Sequence, residues 1–259
     1  MSEMIFRPLV EDMTWSYSRI KCFQNCPYRF YLKYIHGLNE STPDFYTSYG
    51  SFIHKILEEF YKGKITKDDM LTKFLFDFQT EVVGDRPSEA IVNKYITAGI
   101  NYFQNFTPLP YNMVAVEKKI SFQIDQKRFV GFIDYLGEMN GEYYIVDHKS
   151  KDLKQRSRRR NPTIKDQELD EMLKQLYLYA FAVKQEYGKY PKYLCFNCFK
   201  AGVFIQEPFR QDVCEKVIEW FVHSIETIAR TEEFSPCVDF FLCNHLCGLK
   251  NECCYFEGR

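Results

Sequence analysis

Acidic and basic side chains that could act on a phosphate lie close together in the segment GFIDYLGEMNGEYYIVDHKSKD. Asp134 lies in one strand-like stretch, and Asp147 and Lys149 lie two residues apart at the end of the next. Because residues two apart on a strand face the same side of a sheet, Asp147 and Lys149 project together. Asn140 and Gly141, between the stretches, are typical of a β-hairpin that can bring Asp134 beside them. The segment predicts two carboxylates and a lysine at a solvent-accessible end of a sheet.

These residue types are suited to metal-dependent phosphate chemistry. Two carboxylates at a sheet end are costly to desolvate unless they are paired or bind a cation. Hard oxygen donors suit Mg²⁺ or Mn²⁺, which reach out to substrate phosphates. A nearby ammonium can orient a water molecule and offset the charge that develops on the phosphate. The alternative is a solvated Asp–Lys pair, because D-x-K is a short and common string.

The elements that must position these residues can be read from the apolar spacing. Ser16 or Ser18 can cap a first helix, and Pro27 can begin a second one. Further helices are predicted over 51–63, 67–82, 88–106, 167–188 and 211–230. Strands are predicted over 114–125, 127–139 and 142–150, followed by a strand pair around Ala201 and Gly202. This order predicts an α/β layer fold.

Five motifs occur in one order along the chain. They are a helical segment over 16–35, G-x-x-x-H ending at His54, G-x-I-D ending at Asp134, D-x-K ending at Lys149, and Q-x-x-x-Y ending at Tyr179. This ordered set resembles the PD-(D/E)XK nuclease superfamily, and especially the branch that contains the nuclease domain of RecB. The resemblance covers 16–254. It implies a restriction-endonuclease-like core, in which helices flank a central mixed sheet, with an N-terminal helical segment and a Cys-rich C-terminal tail.

The resemblance implies a metal site. His54, Asp134, Asp147 and the backbone carbonyl of His148 are the expected ligands of Mg²⁺ or Mn²⁺. Taken without the motifs, His54 is typical of a core or surface histidine. Glu117, on the strand before the hairpin, is expected either to support these ligands or to be a solvated strand residue.

The resemblance also implies the catalytic residues. Asp134, Asp147 and Lys149 are expected to act on the phosphodiester. Gln175 and Tyr179 share one helix face, and their expected role is to position the scissile strand or the lysine. Outside the family context, they would be a rim residue and a core aromatic.

Cysteines crowd the end of the chain. Cys243, Cys247 and Cys253 place three thiols in eleven residues, and with one further thiol they suit zinc or an iron–sulfur cluster. The chain resembles CRISPR-associated exonucleases and the AddB-type nuclease subunit. That resemblance implies a [4Fe–4S] cluster in which Cys26, within C-P-Y-R-F, is the fourth ligand. Zinc is the alternative, and Cys22, Cys237 and Cys254 leave the choice of ligands open.

One basic segment follows the D-x-K strand in a chain whose net charge is only −1. Its cations are Lys149, Lys151, Lys154, Arg156, Arg158, Arg159, Arg160 and Lys165. Their position beside the predicted site favours contacts with a nucleic-acid backbone, although charged runs are often only solvated. We expect Lys151, Lys154, Arg156 and Arg158 to Arg160 to bind DNA.

The sequence therefore predicts a metal-dependent exonuclease for single-stranded or end-bearing DNA, acting in recombination, repair, phage DNA metabolism or CRISPR adaptation. The alternatives are a structure-specific endonuclease, a catalytically silent DNA-binding scaffold and a zinc-tailed adaptor. A helicase, an annealing protein or a CRISPR adaptation protein could be a partner. No apolar run reaches the roughly 20 residues of a membrane span, and the N-terminus lacks the apolar core of a secretion signal. We expect a cytoplasmic protein, and a phage or plasmid gene is one of the sources that fit.

The expected organisation is a single nuclease domain over 1–259. Its parts are a helical N-terminal part (16–106), the nuclease core (112–210), and a C-terminal helix with the cysteine tail (211–259).

Overall fold

The computed structural model describes residues 6–40 and 44–256, and within them it has one six-stranded mixed sheet. The strands are β1 (Thr14–Trp15), β2 (Asn112–Ile124), β3 (Lys127–Met139), β4 (Glu142–His148), β5 (Tyr193–Cys198) and β6 (Val203–Pro208). They lie in the order β1-β3-β4-β5-β6, and β2 also pairs with β3. The β1–β3 and β4–β5 pairs are parallel and the other pairs are antiparallel. The predicted mixed sheet is confirmed.

Helices flank this sheet, as predicted. The α-helices are α1 (Arg7–Asp12), α2 (Tyr17–Asn25), α3 (Pro27–Phe30), α4 (Phe45–Tyr61), α5 (Lys67–Glu81), α6 (Glu89–Gln104), α7 (Ile164–Tyr187) and α8 (Gln211–Ala229). One apolar core joins the sheet to α7 and α8. A second core, rich in aromatic rings, joins α4, α5 and α6. No helix among the described residues is long and apolar enough to cross a membrane.

Two tight turns set the register of the β2–β3–β4 meander. Asn140 and Gly141 both have positive φ, 54° and 76°, as a two-residue hairpin turn requires, so the predicted hairpin is confirmed. Asp125 and Gln126 form a second such turn, with φ of 47° and 64°. Neither is glycine, so this turn lacks the usual sequence signature. The tight turns matter for function because they fix which residues of β2 and β4 lie beside Asp134.

Side-chain caps explain where the helices that carry the site begin. Ser16, rather than Ser18, caps α2 by accepting a hydrogen bond from the Arg19 N–H. Asp44 caps α4, which therefore begins six residues before the predicted start at 51. A capping box begins α7 at Ile164, again ahead of the predicted start.

Candidate active site

The two motif carboxylates lie opposite each other on neighbouring strands. Tyr135 of β3 pairs with Val146 of β4, so the next positions, Asp134 and Asp147, are adjacent across the hairpin. Their exposed fractions are 9% and 2%, which corrects the expectation of a solvent-accessible sheet end. Burial and the charge of Asp147 raise the pKa of Asp134 well above its ordinary value. A carboxylate pair buried in this way is stabilised by a cation.

His54, Glu117 and Asp134 converge on one point. His54 Nδ1 lies 3.5 Å from Asp134 Oδ2 and 4.0 Å from Glu117 Oε1, and the three ligand atoms all lie within 4.8 Å of one another. Burial lowers the pKa of His54, which favours the neutral imidazole that a metal needs. One ring nitrogen and two carboxylate oxygens fit a divalent cation such as Mg²⁺ or Mn²⁺.

Glu117 reaches this group from an unusual backbone conformation. Val116 pairs with Tyr135 and Lys118 with Ile133, which places Glu117 opposite Asp134. Its φ is +50°, and such a left-handed conformation costs about 1–3 kcal/mol in a residue other than glycine. Burial and the charge of Asp134 raise the pKa of Glu117 to about 7. Strain within a strand, at the point where carboxylates converge, is typical of a functional position.

The sequence left the role of Glu117 open, although one signal was available. In a hairpin with a two-residue turn at 125–126, Ile124 pairs with Lys127. Counting the same number of residues back along β2 and forward along β3 from that pair places Glu117 opposite Asp134. The signal depends on recognising a turn that has no glycine.

His148, the middle residue of D-x-K, joins the two sides of the site through its backbone. Its N–H donates to Asp134 Oδ2 at 2.6 Å, and its carbonyl accepts from His54 Nε2 at 2.8 Å. That bond directs His54 Nδ1 toward the carboxylates. Burial lowers the pKa of His148 well below its ordinary value. The neutral ring accepts from Asn197 Nδ2 at 3.0 Å, and the same Nδ2 lies 2.6 Å from the Tyr102 hydroxyl.

Lys149 stands at one end of a polar chain that continues onto α7. Its Nζ lies 2.8 Å from Asp147 Oδ2 and donates to Gln175 Oε1 at 3.1 Å. Gln175 Nε2 donates in turn to the Tyr179 hydroxyl at 2.7 Å. Burial tends to lower the pKa of Lys149, but the nearby charge of Asp147 outweighs this effect, and the pKa of Lys149 is raised. A Cβ on Gly131 would lie 2.5 Å from the Tyr179 ring, which explains the glycine of G-x-I-D.

A cleft of about 1350 Å³ opens onto these groups. Its walls come from α2, α4, α7 and the β2–β4 meander. All the predicted catalytic side chains line it, together with His54, Glu117 and His148. Lys21, Arg29, Lys33, Lys55 and Lys151 also line it. Each of these five cations forms an ion pair with a glutamate, so ion pairs rather than free cations surround the carboxylate centre.

The basic segment divides into paired and unpaired cations. Arg156 is held by Asp170 at 2.6 Å and Glu207 at 2.7 Å. Lys151, Lys154 and Lys165 also form ion pairs with nearby acids. Arg158, Arg159 and Arg160 are exposed, and no salt bridge within the described residues involves them. These three are the cations of the segment that are free to meet a phosphate.

A second pocket gathers thiols of the tail together with Cys26, which caps the start of α3. It is lined by Cys26, Cys237, Cys243, Cys247 and Cys253. Cys22 and Cys254 lie outside this lining. In the described part of the chain, no three thiols lie within 4.8 Å of one another.

Comparison with known proteins agrees with this fold. The PD-(D/E)XK nuclease superfamily matches residues 14–254, and the chain belongs to that superfamily. Its members use divalent metal ions, and the His–Glu–Asp group described above provides ligands for one. No curated protein matches the chain.

A similar solved structure comes from Eubacterium rectale and bears the name "Putative exonuclease". It is 12% identical to this chain, with a TM-score of 0.53, and the alignment covers 94% of this chain and 91% of that one. At this identity the likeness shows the fold.

Proposed function

We propose that this nuclease is a metal-dependent exonuclease that hydrolyses single-stranded or end-bearing DNA. The observation that carries the proposal is the convergence of His54, Glu117 and Asp134, beside the Asp147–Lys149 pair, in one open cleft. The exonuclease name of the similar E. rectale protein also supports the proposal of exonuclease activity. The products are a 5′-phosphate and a 3′-hydroxyl.

The residues have separate roles in this proposal. His54, Glu117 and Asp134 would hold Mg²⁺ or Mn²⁺, with Asp147 as a further ligand. The His148 carbonyl, predicted as a ligand, accepts from His54 Nε2 on the side of the ring away from Nδ1, so it would orient the imidazole instead. A bound ion supplies Lewis-acid polarisation of the phosphate. Lys149 stays protonated beside Asp147 and offsets the charge that develops on the phosphate oxygens.

On α7, Gln175 and Tyr179 are positioning residues. The hydrogen bond from Lys149 to Gln175 limits the directions in which the ammonium can point. Tyr179, which accepts from Gln175, is packed against Gly131 and is only 5% exposed. The pair therefore gives Lys149 a rigid support, as a preorganised charge requires.

Exonuclease action is tested with linear and circular single-stranded DNA of the same sequence. With Mg²⁺ or Mn²⁺, we expect mononucleotides or short products from the linear strand and no cleavage of the circle. Separate 5′ and 3′ labels then report the polarity. Nicking of the circle would show an endonuclease instead.

The three unpaired arginines are predicted to contribute affinity. Replacing Arg158, Arg159 and Arg160 by Gln should weaken binding of single-stranded DNA. It should also reduce the magnitude of the slope of log affinity against log salt by roughly 0.7 for each phosphate that the variant no longer neutralises. Fluorescence anisotropy over a series of salt concentrations measures both quantities.

A matched control removes three exposed or half-exposed lysines that do not line the cleft, namely Lys184, Lys189 and Lys216. This triple variant loses the same charge but should keep the parent slope. Equal slopes in both triple variants would mean that the arginines of the basic segment are only solvated.

We further propose that Cys26, Cys243, Cys247 and Cys253 hold a [4Fe–4S] cluster. Support comes from the pocket that these thiols share. Cys237, which lines the same pocket, is the alternative ligand. The cluster would be structural, because the pocket joins the tail to α3.

The proposed setting is the cytoplasm, where a reducing environment leaves thiols free to bind metals. A chain that digests single strands must receive them from another protein or find them already exposed. A helicase, an annealing protein or a CRISPR adaptation complex would provide such strands.

A further inference from the structure

An exposed aromatic ring lies beside the carboxylates and takes no part in the chemistry described above. Phe132 precedes Asp134 by two residues on β3 and lines the same cleft. Its side chain is 51% exposed. Exposing a Phe ring at the rim of a cleft forgoes the stabilisation that full burial of such a side chain supplies. A single exposed apolar residue is ordinary on a protein surface, but this ring is exposed within the cleft that holds the carboxylates.

The other aromatic side chains of the cleft are already in use. The Tyr179 hydroxyl accepts from Gln175, and Tyr17 donates to the Glu171 carbonyl at 2.7 Å. Arg19 covers the ring of Tyr34 at 4.4 Å from its centroid. Phe132, by contrast, presents open ring surface to the cleft.

A lysine lies next to this ring on the neighbouring strand. Lys119 of β2 pairs with Phe132 of β3, and antiparallel partners hold their Cβ atoms about 4.5–5.5 Å apart. Lys119 is exposed, and no salt bridge within residues 6–40 and 44–256 involves it. The strand pair therefore presents an apolar plane and a free ammonium side by side, with the ring in the cleft lining and Lys119 just outside it.

We propose that Phe132 and Lys119 form a nucleobase subsite for the nucleotide next to the scissile phosphate. The Phe132 ring stacks on an unpaired base, and the Lys119 ammonium meets a flanking phosphate. A base paired within a duplex cannot offer its face in this way, so the subsite favours single-stranded substrate. The inference rests on the proposed nuclease function and names the feature of the substrate that the site recognises.

The stacking arm is tested with single-stranded oligonucleotides that contain one abasic position, moved stepwise along the strand. Single-turnover cleavage and binding are measured for the parent, Phe132→Ala and Phe132→Trp. Stacking on an aromatic side chain is worth a factor of roughly 5 to 150 in affinity. We expect the affinity of the parent to fall by this factor when one particular base is missing. Phe132→Ala should bind the intact strand more weakly by the same factor and should not respond to the missing base. Phe132→Trp should regain the affinity of the parent for the intact strand.

A second experiment tests the charge of Lys119 separately from the ring of Phe132. Lys119→Gln should lower the slope of log affinity against log salt by roughly 0.7, whereas Phe132→Ala should leave that slope unchanged because no charge is lost. Phe76 is 80% exposed on α5 and does not line the cleft, so Phe76→Ala is the matched control and should behave as the parent.

The subsite is overturned if Phe132→Ala binds and cleaves single strands like the parent, or if no abasic position weakens the parent. Failure of the proposed function has a different signature, because the parent itself would then cleave none of the oligonucleotides with Mg²⁺ or Mn²⁺. The binding measurements would still report on stacking in that case.

Discussion

Lys149→Ala is expected to slow phosphodiester hydrolysis by about 10²–10³-fold, the usual loss when one preorganised charged or donor group is removed from a transition state. The substitution leaves Asp147, which is 2% exposed, without its ion-pair partner, so the melting temperature should fall as well. Initial rates on end-labelled single-stranded DNA measure the first effect, and thermal denaturation measures the second.

Asp134→Asn separates chemistry from folding at the same site. The amide oxygen can still accept the His148 N–H, and the repulsion between Asp134 and Asp147 is removed. We therefore expect a comparable loss of rate with a melting temperature within a few degrees of the parent or above it. Lys189→Ala is the control, because it removes an ion pair with Glu142 away from the cleft. It should keep the hydrolysis rate and the melting temperature of the parent. Near-parent rates in Lys149→Ala or Asp134→Asn would remove the proposed site from consideration.

Protein purified without oxygen is expected to be brown, with iron and sulfide near four each per chain. Cys26→Ser or Cys253→Ser should remove the colour and lower the melting temperature, because metal ligation supplies folding free energy that a short tail lacks. Serine at position 26 is an informative change. The Cys26 thiol caps α3 by accepting from the Arg29 N–H, and Ser is itself a good cap, so loss of the cluster is not confused with loss of the helix start.

Cys254→Ser provides the matched control for the cluster. Cys254 is exposed and lies outside the thiol pocket, where it contacts the Tyr28 hydroxyl at 3.3 Å. Its substitution should leave the colour unchanged, whereas Cys237→Ser tests the alternative ligand. A colourless parent with one zinc per chain would contradict the cluster but not the idea that metal ties the tail to α3.

Local patterns were sufficient to predict much of the sheet. The Asn140 and Gly141 turn fixes the β3–β4 register, so the proximity of Asp134 and Asp147 follows from two strands and one short turn. Their burial does not follow from the same pattern. It depends on α4 and α7, which lie far away in the sequence. The alternation of residues along one β-strand does not show which helix covers the end of that strand.

Long-range charge pairing was the hardest feature to predict. Arg156 belongs to a basic run, and its local pattern does not distinguish it from Arg158. In the structure Asp170 and Glu207, from α7 and β6, neutralise it. The sequence places those acids 14 and 51 residues away. Only the tertiary fold separates cations that support the structure from cations that are free to bind DNA.

The most direct test of the proposed function is release of acid-soluble nucleotides from single-stranded DNA by metal-free protein, measured with added Mg²⁺, Mn²⁺ or EDTA and with DNA binding followed in parallel. We predict hydrolysis with either metal, none with EDTA, and a loss of about 10²–10³-fold in Lys149→Ala. Tight binding of DNA without hydrolysis under any metal condition would contradict the proposed function and indicate a DNA-binding scaffold.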